Sequence, residues 1–305
     1  MAVEKYSLSE LQQLVKSGKK FSLFKPFLYK GQILINVEKI LTDKDLIKLD
    51  GKIFGTIEVV PTIEHSTDDK VRQAIIDNAV KVLKGSPLYK LNDTHHLDFT
   101  KRKEVEKLFS GIIIAHPQLA QKLLDIYKMS KKVFLHSIHV AIISSVIDLY
   151  LQEKRKIHNA LRSEEMLTAA LLHEVGFLNF DSSFVQKKRY EYTPEDKSKY
   201  SSYPLESKSI CEKLGGNIRQ KTIQIIEQHQ ERLTGTGFPN KLKGSAIDEM
   251  SLILGLADDF ELLVSRDSAN HQKPVSEIMS RFSRMGSTFG PEIVDAFYSS
   301  FRYLN

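Results

Sequence analysis

Residues 133–151, VFLHSIHVAIISSVIDLYL, restrict the fold of this chain more than any other stretch. At helical rise the run is long enough to cross a bilayer, or to form a helix apolar on every side. It also carries His136, His139 and Asp148, and three such groups at membrane depth make a bilayer span unfavourable. The run therefore reads as a helix inside a soluble fold. Its imidazoles and carboxylate need partners there, because an unpaired polar group among apolar side chains is costly.

The composition agrees. The 305 residues are 41% hydrophobic and 27% charged, enough for a sizeable core and about two domains. A formal net charge of +6 suits an anionic ligand, but the excess is spread along the chain and gives no reason to expect DNA or RNA binding. Cys211 is the single cysteine, which excludes an intramolecular disulfide and a thiolate metal cluster. The opening residues, MAVEKYSLSELQQL, are charged early and hold no apolar leader segment. A reduced, cytoplasmic setting without membrane attachment is expected.

Two textures divide the chain, and the expected class is α+β overall. SLSELQQLVK reads as a short helix capped by Ser7, and FSLFKPFLYKGQILIN as two apolar strands broken by Pro26 and Gly31. Thr42 can cap a helix through DKDLIKL, and FGTIEVV reads as a strand stopped by Pro61. These make a small α/β module over residues 1–65. A linker helix over 68–85, ended by Gly85, and a linker, SPLYKLNDTHHLDFT, extend this region to residue 100. Residues 101–305 read as all-α, beginning with two or three helices, of which Pro117 starts one. SEEMLTAALLHEVGF follows behind a Ser163 cap. Thr193-Pro194-Glu195-Asp196 is a strong helix start: a cap, a first-turn proline, then acids at the positive end of the dipole. Further helices run through GGNIRQKTIQIIEQHQ, DEMSLILGLADDFELLVS and PEIVDAFYSSF.

A metal site in such a chain must be built from imidazole and carboxylate, facing inward from the helices. Four places qualify: His136, the pair His173-Glu174 in LLHEVGF, His229 in IIEQHQE, and Asp258 in GLADDFELL. Singly, none differs from a satisfied core residue. Ten histidines and 38 acids in 305 residues produce about one His–acid dipeptide by chance. Four such places in order, with the glycine loop GTGFP directly after one of them, carry more weight.

At these residues the sequence resembles the HD-GYP family, HD-domain phosphohydrolases that hydrolyse cyclic di-GMP. The resemblance covers roughly residues 110–305. The family's HSxxV is similar to His136-Ser137-Ile138-His139-Val140, and its HDIGK to His173-Glu174-Val175-Gly176-Phe177. Its HPxxG falls on Tyr203-Pro204-Leu205-Glu206-Ser207, and its HHExxDGxGYP on residues 229–239, HQERLTGTGFP. ADxFDAL resembles Ala257-Asp258-Asp259-Phe260-Glu261-Leu262-Leu263, and FGPEIVDAF resembles the family's last helix.

The resemblance implies an all-α HD-type domain that holds two divalent metals, iron first, with manganese or zinc also suited to such donors. His136, His173, Glu174 and Asp258 would hold one metal. Glu174 would bridge to a second held by His229, with help from Tyr203, Gln230 or Glu206. A metal-bound hydroxide would attack phosphorus in line with the departing 3′ oxygen. Gly235 and Gly237 would let loop amides approach the ligand, Phe238 would offer its ring, and Arg266 is a candidate phosphate contact.

The departures are equally specific. Glu174 stands for an aspartate, Phe177 for a lysine that helps neutralise phosphate, and Tyr203 for a histidine. Gln230 stands for the second histidine of a pair, Thr234 for an aspartate, and Phe238 for the tyrosine of GYP. Lys132 stands where relatives with a third metal carry glutamate, so two metals are the most the pattern supports. Losing one charge-stabilising group costs on the order of 3 kcal/mol, roughly a hundredfold in rate. Lys187, Lys188 or Arg189 could supply the missing charge. Three readings follow: a slow cyclic di-GMP phosphodiesterase, a degenerate domain that binds the nucleotide or a protein partner without significant turnover, or an HD phosphohydrolase acting on another nucleotide, because the ligand-contact residues are the ones that changed. The N-terminal module is expected to regulate or to dimerise.

Overall fold

Two capping boxes organise the first unit. Ser7 and Glu10 exchange side-chain and backbone bonds at the head of one helix, and Thr42 and Asp45 do the same at the next. In chain order the unit runs β1 (Glu4–Ser7), α1 (Leu8–Lys16), β2 (Phe21–Leu23), β3 (Phe27–Tyr29), β4 (Gln32–Ile35), α2 (Asp43–Leu49) and β5 (Thr56–Pro61). β5 is the central strand, antiparallel to β1 through Glu4↔Val59 and to β2 through Phe21↔Pro61. β3 and β4 pair as a separate hairpin, so the segment expected to hold two strands holds three. Ile57 and Val59 alternate inward and meet Leu11, Phe21, Leu23, Leu46 and Leu49 in a small core.

The computed structural model describes residues 4–19, 21–23, 27–29, 32–35, 40–53, 55–61, 77, 95–97, 99–214, 218–264 and 275–303. It divides into two units, Met1–Ser66 and Thr67–Asn305. The linker helix read over 68–85 lies outside the described residues, apart from a helical Asp77. Most of the linker after it lies outside them too.

The second unit is a helical bundle. Its elements are β6 (His95–Leu97), α3 (Phe99–Ala115), α4 (Pro117–Met129), α5 (Lys131–Lys154), α6 (Ala160–Leu172), α7 (Ser182–Gln186), α8 (Pro194–Tyr200), α9 (Tyr203–Lys213), α10 (Gln220–Gln228), α11 (Glu249–Val264), α12 (Val275–Phe282), α13 (Gly286–Phe289), α14 (Pro291–Ser299) and β7 (Phe301–Tyr303). α5 is the axis, packed against α3, α4, α6, α11 and α14. Among the described residues it alone is long and apolar enough to cross a membrane, but 78% of its apolar window is buried by the rest of the unit. It is a core helix. α8 begins as expected, with Thr193 capping and Asp196 returning the bond.

Two local expectations change. The N-cap of α6 is Asn159, whose side chain accepts from Arg162 N at 3.1 Å. Ser163 lies inside the helix, where its hydroxyl accepts from Gln152 Nε2 at 3.0 Å. Asn is as strong a cap as Ser, and the chain turns into the helix one turn earlier. Residues 95–97, read as linker, pair as β6 with β7 at the chain's far end.

Candidate metal centre

Three elements bring four donors together. His136 faces inward from α5, His173 and Glu174 follow the last turn of α6, and Asp258 comes from α11. One donor atom from each lies within 4.8 Å of the other three, and all four residues are buried. His136 Nε2 is 2.9 Å from Asp258 Oδ1, 3.7 Å from Glu174 Oε1 and 3.3 Å from His173 Nε2.

Gly176 explains why His173 and Glu174 can sit here. A side chain at that position would place its Cβ 2.5 Å from Tyr203 O and 2.6 Å from Ser207 N, so only glycine lets this backbone cross α9. Ser207 fastens the crossing: its hydroxyl accepts from Gly176 N at 2.9 Å and donates to His173 O at 2.7 Å.

Partners behind the imidazoles aim them. His173 donates through Nδ1 to Ala170 O at 2.7 Å, which leaves Nε2 as a lone-pair donor. Burial pushes its pKa down to about 4. His136 Nδ1 bonds Glu261, which also meets His139 Nδ1 at 3.1 Å. Burial alone would lower the pKa of His136, but the carboxylates of Glu174, Glu261 and Asp258 outweigh it and hold it well above the ordinary value. Burial raises Glu174. Burial would raise Asp258 as well, yet His136, with Nε2 2.9 Å from Oδ1, keeps it ionised and well below the usual carboxylate range.

These residues fit a metal ion. Asp258 Oδ1 is buried without a well-directed donor; His136 Nε2 is near it but poorly aligned. Two imidazole nitrogens and two carboxylate oxygens form a set that suits iron, manganese or zinc.

The structure places the other expected ligands differently. His229, at the end of α10, is buried with its ring 5.1 Å from that of His173, but it is not one of the four grouped donors. Its Nδ1 donates to Ile226 O at 2.6 Å, and its Nε2 accepts from the Tyr203 hydroxyl at 2.6 Å. Burial pushes the His229 pKa down to about 3. Burial, then Tyr200 and the carboxylates of the centre, push the Tyr203 pKa well above 10, so it stays a phenol. Gln230 donates to the same hydroxyl at 2.8 Å and to Asp258 Oδ2 at 2.5 Å. Glu206 points elsewhere, accepting from Asn179 Nδ2 at 2.7 Å. Arg266 lies outside the described residues.

The glycine loop is held by Glu231, which falls on the glutamate of the HHExxDGxGYP resemblance and was given no role there. Glu231 is fully buried and accepts from Asn240 N at 2.6 Å and Leu242 N at 2.9 Å, closing residues 231–242 into a staple. Gly235 adopts φ +76°, and a Cβ on Gly237 would lie 2.4 Å from Gln230 O. Both glycines thus serve the loop's own folding. Phe238 sets its ring against Tyr200 and Tyr203, with centroids 5.8 and 6.3 Å apart. Two more residues reach the donors: Glu261, to which the sequence assigned no role, and Arg189, one of the three cations expected to supply the missing charge. Glu261 lies one turn after Asp258 on the same helix face and stands at the second acidic position of the ADxFDAL resemblance. Arg189 donates to Glu174 Oε1 at 2.6 Å.

A family model described as HD domain matches residues 112–293. The chain is 30% identical over 134 residues to a cyclic di-GMP phosphodiesterase of Thermotoga maritima, a match covering 44% of this chain and 36% of that protein. It is 28% identical over 130 residues to the cyclic di-GMP phosphodiesterase PdeB of Borreliella burgdorferi, covering 43% and 32%. The matches thus span about a third of each relative's length. A solved HDG"Y"P protein from Bdellovibrio bacteriovorus aligns over 92% of this chain and 93% of its own at 14% identity, with a TM-score of 0.46.

Proposed function

The chain belongs to the HD-domain family, and from that premise we propose that it is a metal-dependent phosphodiesterase of the HD-GYP type whose substrate is cyclic di-GMP. The observation that carries the reading is the buried group of His136, His173, Glu174 and Asp258, four donors gathered from three elements. The names of the curated relatives support the substrate.

A metal bound there would lower the pKa of water and draw charge from the phosphoryl oxygens. The chain's own residues supply the rest. Ala170 and Glu261 hold Nδ1 of His173 and His136, so both rings present Nε2 inward. Glu174 and Asp258 add anionic oxygens. The staple closed by Glu231 carries Phe238, whose ring packs against Tyr200 and Tyr203.

A second ion, completing the iron pair that the resemblance implies, would reach His229 only after the Tyr203 hydroxyl leaves Nε2. Gln230 and Tyr203 would then be neutral oxygen donors. The same hydroxyl favours a second reading, in which the domain binds cyclic di-GMP or a protein partner without significant turnover. Residues 1–100 would be the regulatory or dimerisation part in either case.

The test is metal content per chain in protein purified without added metal or a histidine tag, beside a His173→Ala, Glu174→Ala double variant, followed by a cyclic di-GMP hydrolysis assay. Bound metal that the variant loses, with hydrolysis that depends on it, is expected. A metal-free native protein that stays empty when iron or manganese is added would sink the mechanism. Metal without hydrolysis would select the binding reading.

A further inference from the structure

We propose that Arg189 is the residue that grips the phosphate group of the ligand at this centre; the proposal rests on the reading of the site as one for a phosphodiester. Position 177 holds no charge. Phe177 is buried at 4% exposure and stacks on Tyr203, with centroids 4.9 Å apart and ring planes 28° from parallel. A cation therefore has to come from elsewhere in the fold. Arg189 opens a short 3-10 turn, Arg189–Glu191, twelve residues along the chain from Phe177. It arrives beside a metal donor, with Nη2 2.6 Å from Glu174 Oε1.

The Arg189 side chain is 32% exposed while that of Glu174 is 2% exposed, so of this pair Arg189 is the one in contact with solvent. The guanidinium also lies over the Tyr200 ring, 4.7 Å from the centroid, and this contact holds its plane. A planar fork held in this way can give two parallel N–H bonds to phosphate oxygens, which an ammonium cannot. Among the described residues Glu174 is the acceptor bonded to this guanidinium, through Nη2, and the remaining N–H donors bond no other of these residues. The neighbouring lysines are engaged away from the centre. Lys187 pairs with Asp196 at 2.5 Å, Lys199 with Asp181 at 3.0 Å, and Lys188 lies over Tyr190 at 5.5 Å.

The experiment titrates inorganic phosphate into manganese-loaded native protein, Arg189→Met, Arg189→Gln and Arg189→Lys by calorimetry. Metal content and thermal unfolding are measured on the same samples, and cyclic di-GMP hydrolysis is assayed in parallel. The Met and Gln variants are expected to keep their metal and bind phosphate about tenfold more weakly, with Lys recovering part of the loss. Any hydrolysis should fall about a hundredfold in kcat/KM. Phosphate affinity within twofold of native in metal-loaded Met or Gln variants would overturn the proposal. So would a native protein that binds no phosphate, or loss of the metal from every variant, which would make Arg189 a support for Glu174 alone. Phosphate binding that depends on Arg189 without hydrolysis of cyclic di-GMP would refute the phosphodiesterase reading and leave this one standing.

Discussion

Glu231→Gln tests the staple beneath the glycine loop with one atom changed. In the native protein both carboxylate oxygens are buried and each accepts a backbone N–H, from Asn240 at 2.6 Å and Leu242 at 2.9 Å. Glutamine keeps one oxygen acceptor, but its amide nitrogen must face the other backbone donor. One charge-assisted bond is lost and one N–H is left without an acceptor, a cost of about 3 kcal/mol. A helical unit of this size shifts its Tm by about 2–4 °C per kcal/mol, so a fall of about 10 °C is expected. Glu227→Gln is the control, because Glu227 meets Lys208 at 2.9 Å and Asn240 Nδ2 at 3.2 Å nearer the surface, where such pairs contribute little. The assay is differential scanning calorimetry of both variants at equal metal loading. A Glu231→Gln shift no larger than that of Glu227→Gln would show that the loop does not depend on the buried carboxylate, and the account of how it is held would be wrong.

Other expectations follow from the same geometry. Gly176→Ala should lose bound metal and cost several kcal/mol, because its Cβ would meet backbone atoms of Tyr203 and Ser207 that cannot move independently of α9; metal analysis and a denaturant melt would read both. The Cys211 thiol is buried and its pKa is pushed up to about 12, so a disulfide reagent such as DTNB should label it only as fast as the unit opens. Metal-free protein should lose stability as pH falls from 7 to 5. The folded pKa values of His173 and His229, about 4 and about 3, lie below the unfolded value, so the stability they contribute is present above pH 6.5 and lost toward their folded values. His136 and Glu174 have the opposite sign, because their raised folded pKa values add stability as pH falls, and they offset part of the loss. Urea midpoints at the two pH values measure it, and no change would refute the buried neutral imidazoles.

What the sequence determined by itself is what can be read over a few neighbouring residues. Caps at Ser7, Thr42 and Thr193 act within a single turn, and the structure forms them as their spacing requires. The run at 133–151 had to be buried because nothing else pays for so much apolar surface beside two histidines and an aspartate. The order of His136, His173-Glu174 and Asp258 along the helical part of the chain was legible because each lies in a short motif of neighbouring residues. The tertiary structure alone decided how those faces meet. Glu261 reaches His136 across 125 residues, and Arg189 reaches Glu174 through a segment without regular periodicity. Tyr203 shows the difference most sharply. Motif order put it among the ligands, but the crossing of α9 and α10 gives its hydroxyl to His229 Nε2, while Glu206, one turn on, faces Asn179 at the surface. A sequence pattern states which atoms are available; which lone pair each proton meets depends on helix rotation and crossing, and these are set by packing across the whole core.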